Sequence, residues 1–374
     1  MIFKTVPKSV IVISFILFIS ALFTSLESPL RYVKYFILPV LLYFIFKNKT
    51  MSINKVLKQN IFLYFLLLSI NFITSLIFGM LTFRFVEEAF LILLPILSVF
   101  VLTGIKDLNI HSTIVVVFYA YVLAFLFYNF ESLINIPVLL SSFVKALTFS
   151  NFDTESWMAF PFGIFSLYFI IEKKQLYGFL SLSLFLLSFK RISMAAFILS
   201  ISVYIIYFMV LKSSFKRNKI VLLFLTLNII LLIILYAFIN GDFTKLIYKN
   251  TGISINQFSQ GRFQIYNDII NHFSDKMWTG SSLGYTNIYL STKYVEISFL
   301  HSDILKLIIE FGVVSFLIWL FYFMYINITN YKSIPIVLFI NILFLTDNVF
   351  IYFDTLFIFY LVLTKFDQDA RREN

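Results

Sequence analysis

The stretch ISFLHSDILKLIIEFG, residues 297–312, joins a polar segment to a long apolar run and sets His301, Asp303, Lys306 and Glu310 at the junction. Whether that run is a membrane helix or the core helix of a water-soluble domain decides the fold. The composition answers it. The 374-residue chain is 60% hydrophobic and 13% charged, with a mean hydropathy of +0.94. Soluble domains sit near a quarter charged. No water-soluble fold hides this much apolar surface, so the sequence specifies an all-α polytopic membrane protein. The four titratable groups then stand at the mouth of a membrane span and need an explanation.

Working outward at roughly 17–25 apolar residues per crossing, the chain holds about twelve spans. They lie near 7–26, 30–46, 61–79, 85–103, 112–130, 156–171, 175–189, 192–211, 219–239, 304–326, 333–347 and 349–364. TSLESPLRY follows the first span with no small-residue cleavage site, so that span reads as an uncleaved anchor. Three regions result. An N-terminal bundle of about nine spans covers 1–239, with a short interfacial segment near 131–155. A large extracytoplasmic loop covers 240–303, and the C-terminal spans with a short tail cover 304–374.

Lysine and arginine in the short connections set the orientation. With the N-terminus inside, 17 of the 29 basic residues fall on the inner side, from Lys4 and Lys8 to Arg371 and Arg372. Five others (Lys245, Lys249, Arg262, Lys276 and Lys293) lie in the large loop, which that rule does not weigh. Both termini are therefore expected in the cytoplasm. The formal charge of +10 is then mostly topology, and no nucleic-acid partner is expected.

Within IPVLLSSFVKALTFS, Ile136, Leu139, Leu140, Phe143 and Leu147 follow a helical period opposite Ser141, Lys145 and Thr148, as in a helix lying in the interface. In the large loop, Tyr266, Ile269, Ile270 and Phe273 share one helical face, which predicts a folded cap containing short helices. Pro95, Pro161 and Pro335 fall within or near spans and read as helix kinks, or as the broken helices of a transporter.

Several side chains carry chemistry. Lys190 and Arg191 occupy a connection of a few residues between two spans, beside a helix N-terminus. Each charge at membrane depth costs about 2.5–3.5 kcal/mol on insertion scales. An arriving anion turns that cost into binding, through the guanidinium fork and free backbone N–H groups; the bland alternative is a pair snorkelling to headgroups. Arg262 follows Ser259, Gln260 and Gly261, a turn entering a helix, and is either a second anion ligand or an ordinary surface arginine. His301 precedes a helix start capped by Ser302 or Asp303. A helix N-terminus favours the neutral imidazole, which accepts a proton from a hydroxyl. The alternative is a polar side chain at headgroup level. Lys306 and Glu310, spaced i and i+4, pair on one helix face or orient a substrate group. Three scattered histidines and no cysteine offer no metal cluster and no disulfide, and no P-loop or GxGxxG appears, so neither metal nor cofactor is expected.

The motifs in their order are SFKRISMAAF (188–197), SQGRFQIYNDII (259–270), MWTGSSLGYTN (277–287) and HSDILKLIIEFG (301–312). This series resembles the O-antigen polymerase and ligase superfamily of bacterial cell envelopes, polymerases more closely. Ser302 stands where relatives carry Asn, and Trp278-Thr279 where they carry Pro. Relatives often have an arginine in the outer loop before residue 156; here Lys145 is available. The resemblance implies a metal-independent glycosyltransferase in the bacterial inner membrane. Its partners would be undecaprenyl-diphosphate-linked oligosaccharide repeat units, the lipid bilayer and, as a candidate, a chain-length regulator protein. It implies diphosphate binding by Arg191, Arg262, Lys190 and Lys145, and His301 as the base. Asp303 and Glu310 would support the site, and Trp278, Tyr285 and Tyr289 would stack on sugars. In this view the charges at 301–310 line a polar cleft. An O-antigen ligase, or a flippase or other transporter of lipid-linked oligosaccharide, are the alternatives.

Overall fold

The computed structural model describes residues 7–26, 28–48, 54–105, 108–135, 137, 156–210, 216–294 and 299–373. Among the described residues every extended regular element is helical. The first group is α1 (Lys8–Ser25), a 3-10 segment (Pro29–Phe36), α2 (Ile37–Asn48), α3 (Lys55–Ile77), α4 (Phe83–Thr103), α5 (Ile110–Tyr128) and the short α6 (Phe130–Ile134). Then come α7 (Ala159–Ile171), α8 (Gln175–Leu187), α9 (Arg191–Val210) and α10 (Arg217–Ile239). The large loop folds as α11 (Thr244–Thr251), α12 (Ile255–Phe258), α13 (Arg262–Phe273) and α14 (Tyr285–Lys293). The chain closes with α15 (Asp303–Phe311), α16 (Val313–Asn327), α17 (Ser333–Thr346) and α18 (Phe353–Glu373).

Local sequence explains several helix starts. Asn54, Asn109 and Ser302 each accept an N–H from the first turn of α3, α5 and α15. Pro161 and Pro335 are the third residues of their helices, where no intrahelical N–H bond is lost. They open helices instead of kinking them. Pro95 alone of the three lies in the interior of a helix, beyond its first turn.

Five helices, α1, α3, α4, α5 and α10, are long and apolar enough to cross a membrane among the described residues; α7, α8, α16, α17 and Arg191–Tyr207 of α9 are shorter apolar helices. Three expected spans take another form. The second begins as a 3-10 segment. The run 304–326 is cut at Gly312 into α15 and α16. The last extends through Asp367 and Asp369 into the tail, joined by Lys365–Asp369 (2.5 Å) and Arg371–Asp367 (2.7 Å) pairs one turn apart.

The core is the set of helices that are hydrophobic all round. α7, α17 and the apolar part of α18 are buried on almost every side, with α4, α5 and α7 against α18 and α9 against α17. Asparagines tie helices together where apolar packing has no direction. Asn60 of α3 and Asn327 of α16 exchange side-chain bonds at 2.9 and 3.1 Å, and Asn341 of α17 donates to Asn228 of α10 at 3.1 Å. By contrast α10 exposes Leu222, Leu223, Ile229, Ile230 and Ile233, a face suited to lipid. A second, smaller core forms beneath the loop helices around Ile265, Tyr266, Ile269, Phe273 and Leu290, closed by Leu300, Leu305 and Ile309. The face expected on α13 is the buried one, except that Ile269 and Ile265 outrank Ile270.

The break at Gly312 brings the loop onto the bundle. A helix end leaves carbonyls without partners; here the Ile309 carbonyl takes the Ser281 N–H and hydroxyl, and the Glu310 carbonyl takes the Asn71 amide at 2.6 Å. Gly312 has φ +81°, and a Cβ there would lie 2.4 Å from the Trp278 carbonyl oxygen. Backbone cannot swing aside as a flexible side chain does. Gly312→Ala is therefore expected to destabilise the protein by about 1–3 kcal/mol, read as a lower thermal midpoint in detergent. An unchanged midpoint would mean that the loop is not held there.

Candidate active site

α9 and α13 each begin with an arginine, and the two helix starts line one cleft. Ser188 ends α8, and the two-residue link Phe189-Lys190 places Arg191 as the first residue of α9. At α13, Gln260 and Gly261 both take positive φ, and the Ser259 hydroxyl accepts the Phe263 N–H at 3.0 Å. That turn sets Arg262 at the helix start, as its sequence suggests. Lys190, Arg191 and Arg262 together line one cleft of about 760 Å3. The rest of its wall is mostly apolar: Leu231, Ile234, Leu235 and Phe238 of α10, and Phe243, Leu246 and Ile247 of the loop. Three basic side chains thus border a largely hydrophobic cleft beside the face that α10 turns outward.

His301 borders this cleft instead of lining it. It adopts φ +53°, unusual for a residue with a Cβ. Tyr266, itself a cleft residue, donates its hydroxyl to the His301 carbonyl at 2.9 Å. Ser302 then caps α15 by accepting the Leu305 N–H at 3.2 Å. The side chain is half exposed, and its Nδ1 lies 3.8 Å from Oδ1 of Asp347. The other carboxylate oxygen of Asp347 is 2.6 Å from the Lys190 ammonium. Arg262 reaches the same corner by donating to the Thr346 carbonyl at 3.4 Å.

Asp347 is the residue that sequence reasoning missed. It ends a span expected at 333–347, and an aspartate there looks like an ordinary helix terminus. Only contacts distant in sequence show that Lys190, His301 and the Asp303 N–H all converge on it. Burial opposes its ionisation. The His301 ring, the Lys190 charge and the Asn348 N–H outweigh that cost and hold its carboxyl well below the usual range.

Several expectations are corrected. Lys190 is matched by Asp347 and lies over the Phe160 ring at 4.3 Å, so half of the expected cationic pair is already neutralised. Asp303, Lys306 and Glu310 do not line the cleft. Asp303 is buried and accepts the Phe350 N–H at 2.9 Å, joining α15 to the segment before α18. Lys306 bonds Glu88 of α4 at 2.9 Å, closer than Glu310 at 4.0 Å. Asn287 donates to Glu88 at 2.6 Å, the Thr286 N–H to Glu310 at 3.2 Å, and the Thr286 hydroxyl also to Glu310. The cluster fastens the loop to α4 and α15. Tyr289 stacks on His272 at 4.1 Å and Tyr285 packs edge-on to Phe273, so neither ring faces the cleft; Trp278 is 72% exposed away from its lining. Lys145 and the interfacial helix expected around it lie outside the described residues.

Comparison with known proteins gives one partial match. Residues 176–320 match the Wzy_C family, described as O-antigen ligase. The matched segment runs from α8 to α16 and contains Lys190, Arg191, Arg262 and His301, while Asp347 falls beyond it. The match supports the O-antigen polymerase and ligase superfamily that the motifs resemble, and with it a membrane protein of O-antigen biosynthesis. No curated protein and no solved structure matches the chain.

Proposed function

We propose that the protein is an O-antigen polymerase, a glycosyltransferase that joins undecaprenyl-diphosphate-linked repeat units at the outer face of the bacterial inner membrane, with both termini in the cytoplasm. One observation carries this reading: a single cleft presents Arg191 and Arg262, with Lys190 beside them, in a wall that is otherwise mostly aliphatic and aromatic. A ligand that satisfies both has a polyanionic head and a long hydrocarbon tail. A lipid diphosphate is that ligand. Its isoprenoid chain would lie against Leu231, Ile234 and Phe238 and pass out beside α10.

The chemistry follows from the leaving group. An acceptor hydroxyl oxygen attacks the anomeric carbon as the carbon–oxygen bond to the diphosphate breaks. The electron pair leaves with the diphosphate, where Arg191 and Arg262 stabilise the growing negative charge. His301 takes the hydroxyl proton. Attack opposite the leaving group inverts the anomeric centre.

The second reading, a ligase with the same donor and a lipid A–core acceptor, is favoured by the description of the matching family. Deleting the gene separates the two. Loss of a polymerase leaves single repeat units on the core; loss of a ligase leaves none. Polymer made by the purified protein in liposomes, with no ion gradient, is the expected result. Movement of lipid-linked oligosaccharide across those membranes without any new glycosidic bond would overturn the enzyme reading in favour of a transporter.

A further inference from the structure

Asp347 is buried, ionised and held from three sides, yet none of the motifs includes it. Its N–H and carbonyl are spent on structure: the N–H goes to the Leu343 carbonyl at 2.8 Å, and the carbonyl takes the Asp303 N–H at 3.2 Å. The carboxylate is arranged differently. One oxygen meets Lys190; the other takes the Asn348 N–H at 2.8 Å and faces Nδ1 of His301. Meanwhile the Tyr266 hydroxyl holds the carbonyl of His301, whose positive φ is uncommon for a residue with a Cβ. A half-exposed imidazole is thus fixed by its main chain, with a carboxylate against one ring nitrogen.

We infer that Asp347 is the positioning residue of His301: it draws the N–H to Nδ1 and so leaves Nε2 as the nitrogen that accepts the acceptor sugar's hydroxyl proton. The inference rests on the proposed glycosyl transfer. A neutral imidazole has one donor and one acceptor nitrogen, and a hydrogen bond at one sets the role of the other. The present 3.8 Å is an ion-pair distance. Such contacts tighten in the substrate complex. As the hydroxyl proton reaches Nε2 the ring becomes a cation facing an anion, and Asp347 neither gains nor loses a proton. Lys190 serves the site through Asp347 by keeping that carboxylate ionised among apolar walls. The charged and titratable groups around the pair are Lys190 ahead of α9, Arg262 and Tyr266 of α13, Asp303 of α15 and Tyr352 ahead of α18.

The test uses the full-length protein in membranes that carry the host's own lipid-linked repeat units, with glycan transfer rates followed across pH. The base acts as a neutral ring, so the rate rises with pH as the ring loses its proton. Asp347→Asn removes the anion that favours the protonated ring, so the acidic limb moves to lower pH, and the rate falls by about 10²-fold, within the about 10²–10⁴-fold a general base supplies. Lys190→Gln removes the cation behind that anion, so the limb moves to higher pH. Opposite displacements together with the fall in rate support the inference; displaced limbs with an unchanged plateau rate would mean that Asp347 acts on the ring by charge alone and would overturn the positioning role. Limbs that stay put, or move the same way, overturn it. If Asp347→Asn does not reach the membrane, the Lys190→Gln limb decides alone, an upward shift supporting the role and no shift sinking it. A His301→Ala control separates the two levels. Normal transfer by that variant removes the base and Asp347's role together, whereas an inactive His301→Ala with unmoved limbs removes only the role of Asp347.

Discussion

Replacing His301 with alanine is expected to abolish long glycan chains while leaving the protein in the membrane at its normal level. A general base contributes about 10²–10⁴-fold to rate, and chain growth compounds that deficit at every addition. The fold has little stake in the side chain. It is half exposed, its nearest approach to Asp347 is 3.8 Å, and what Tyr266 holds is the carbonyl, which alanine keeps. The backbone is the weak point, because φ +53° disfavours alanine. His301→Asn answers that objection, since asparagine accepts the left-handed region more readily and offers no imidazole. Both variants should lose polymer and retain membrane insertion, judged by glycan ladders on gels alongside immunodetection of the protein. Ladders of normal length from either variant would remove His301 from the mechanism.

The second large effect is on stability. Lys306 is buried, with Glu88 at 2.9 Å and Glu310 at 4.0 Å, and Arg84 reaches Glu88 at 3.3 Å from one turn away. Two carboxylates share one buried ammonium. Lys306→Ala leaves them facing each other without their shared cation, and breaking a buried pair in this way costs about 3–5 kcal/mol. The variant is expected to lose thermal stability and much of its membrane level. A second substitution discriminates. Glu88→Gln added to Lys306→Ala removes one of the stranded charges and keeps the amide–carboxamide contact to Asn287, so part of the loss should return. A Lys306→Ala protein as stable as the parent would mean that water reaches the cluster and that the loop is anchored elsewhere.

These two residues lie in one short stretch and were equally visible as a histidine and a lysine near a helix start. Their separation into different roles was not visible. His301 precedes the cap, so its side chain leaves the helix and meets the cleft border. Lys306 is one turn in, on the face that α15 turns toward α4 and α14. From the sequence all the charges at 301–310 belong to one polar cleft, because a linear motif carries no information about which side of the helix a partner occupies. Similarly, Tyr285 and Tyr289 were natural candidates for stacking on sugars. They pack instead on α13, since a small loop core has few apolar residues and draws these two rings in.

Composition and periodicity by themselves determined that this is a helical protein with lipid-suited surfaces, where many of its apolar helices run, that the described part of the loop after residue 240 holds short helices, and that Arg191 and Arg262 open helices beside turns. Those properties are local: each depends on residues within a few turns, and hydropathy, glycine and capping side chains report them directly. Tertiary structure alone decided that the two arginines share a cleft, that the run at 304 breaks at Gly312, that Lys306 belongs to Glu88, and that Asp347 stands between Lys190 and His301. Each of these contacts joins positions tens to hundreds of residues apart, and the free energy of burying a charge depends on which opposite charge arrives beside it, a quantity that no single segment contains.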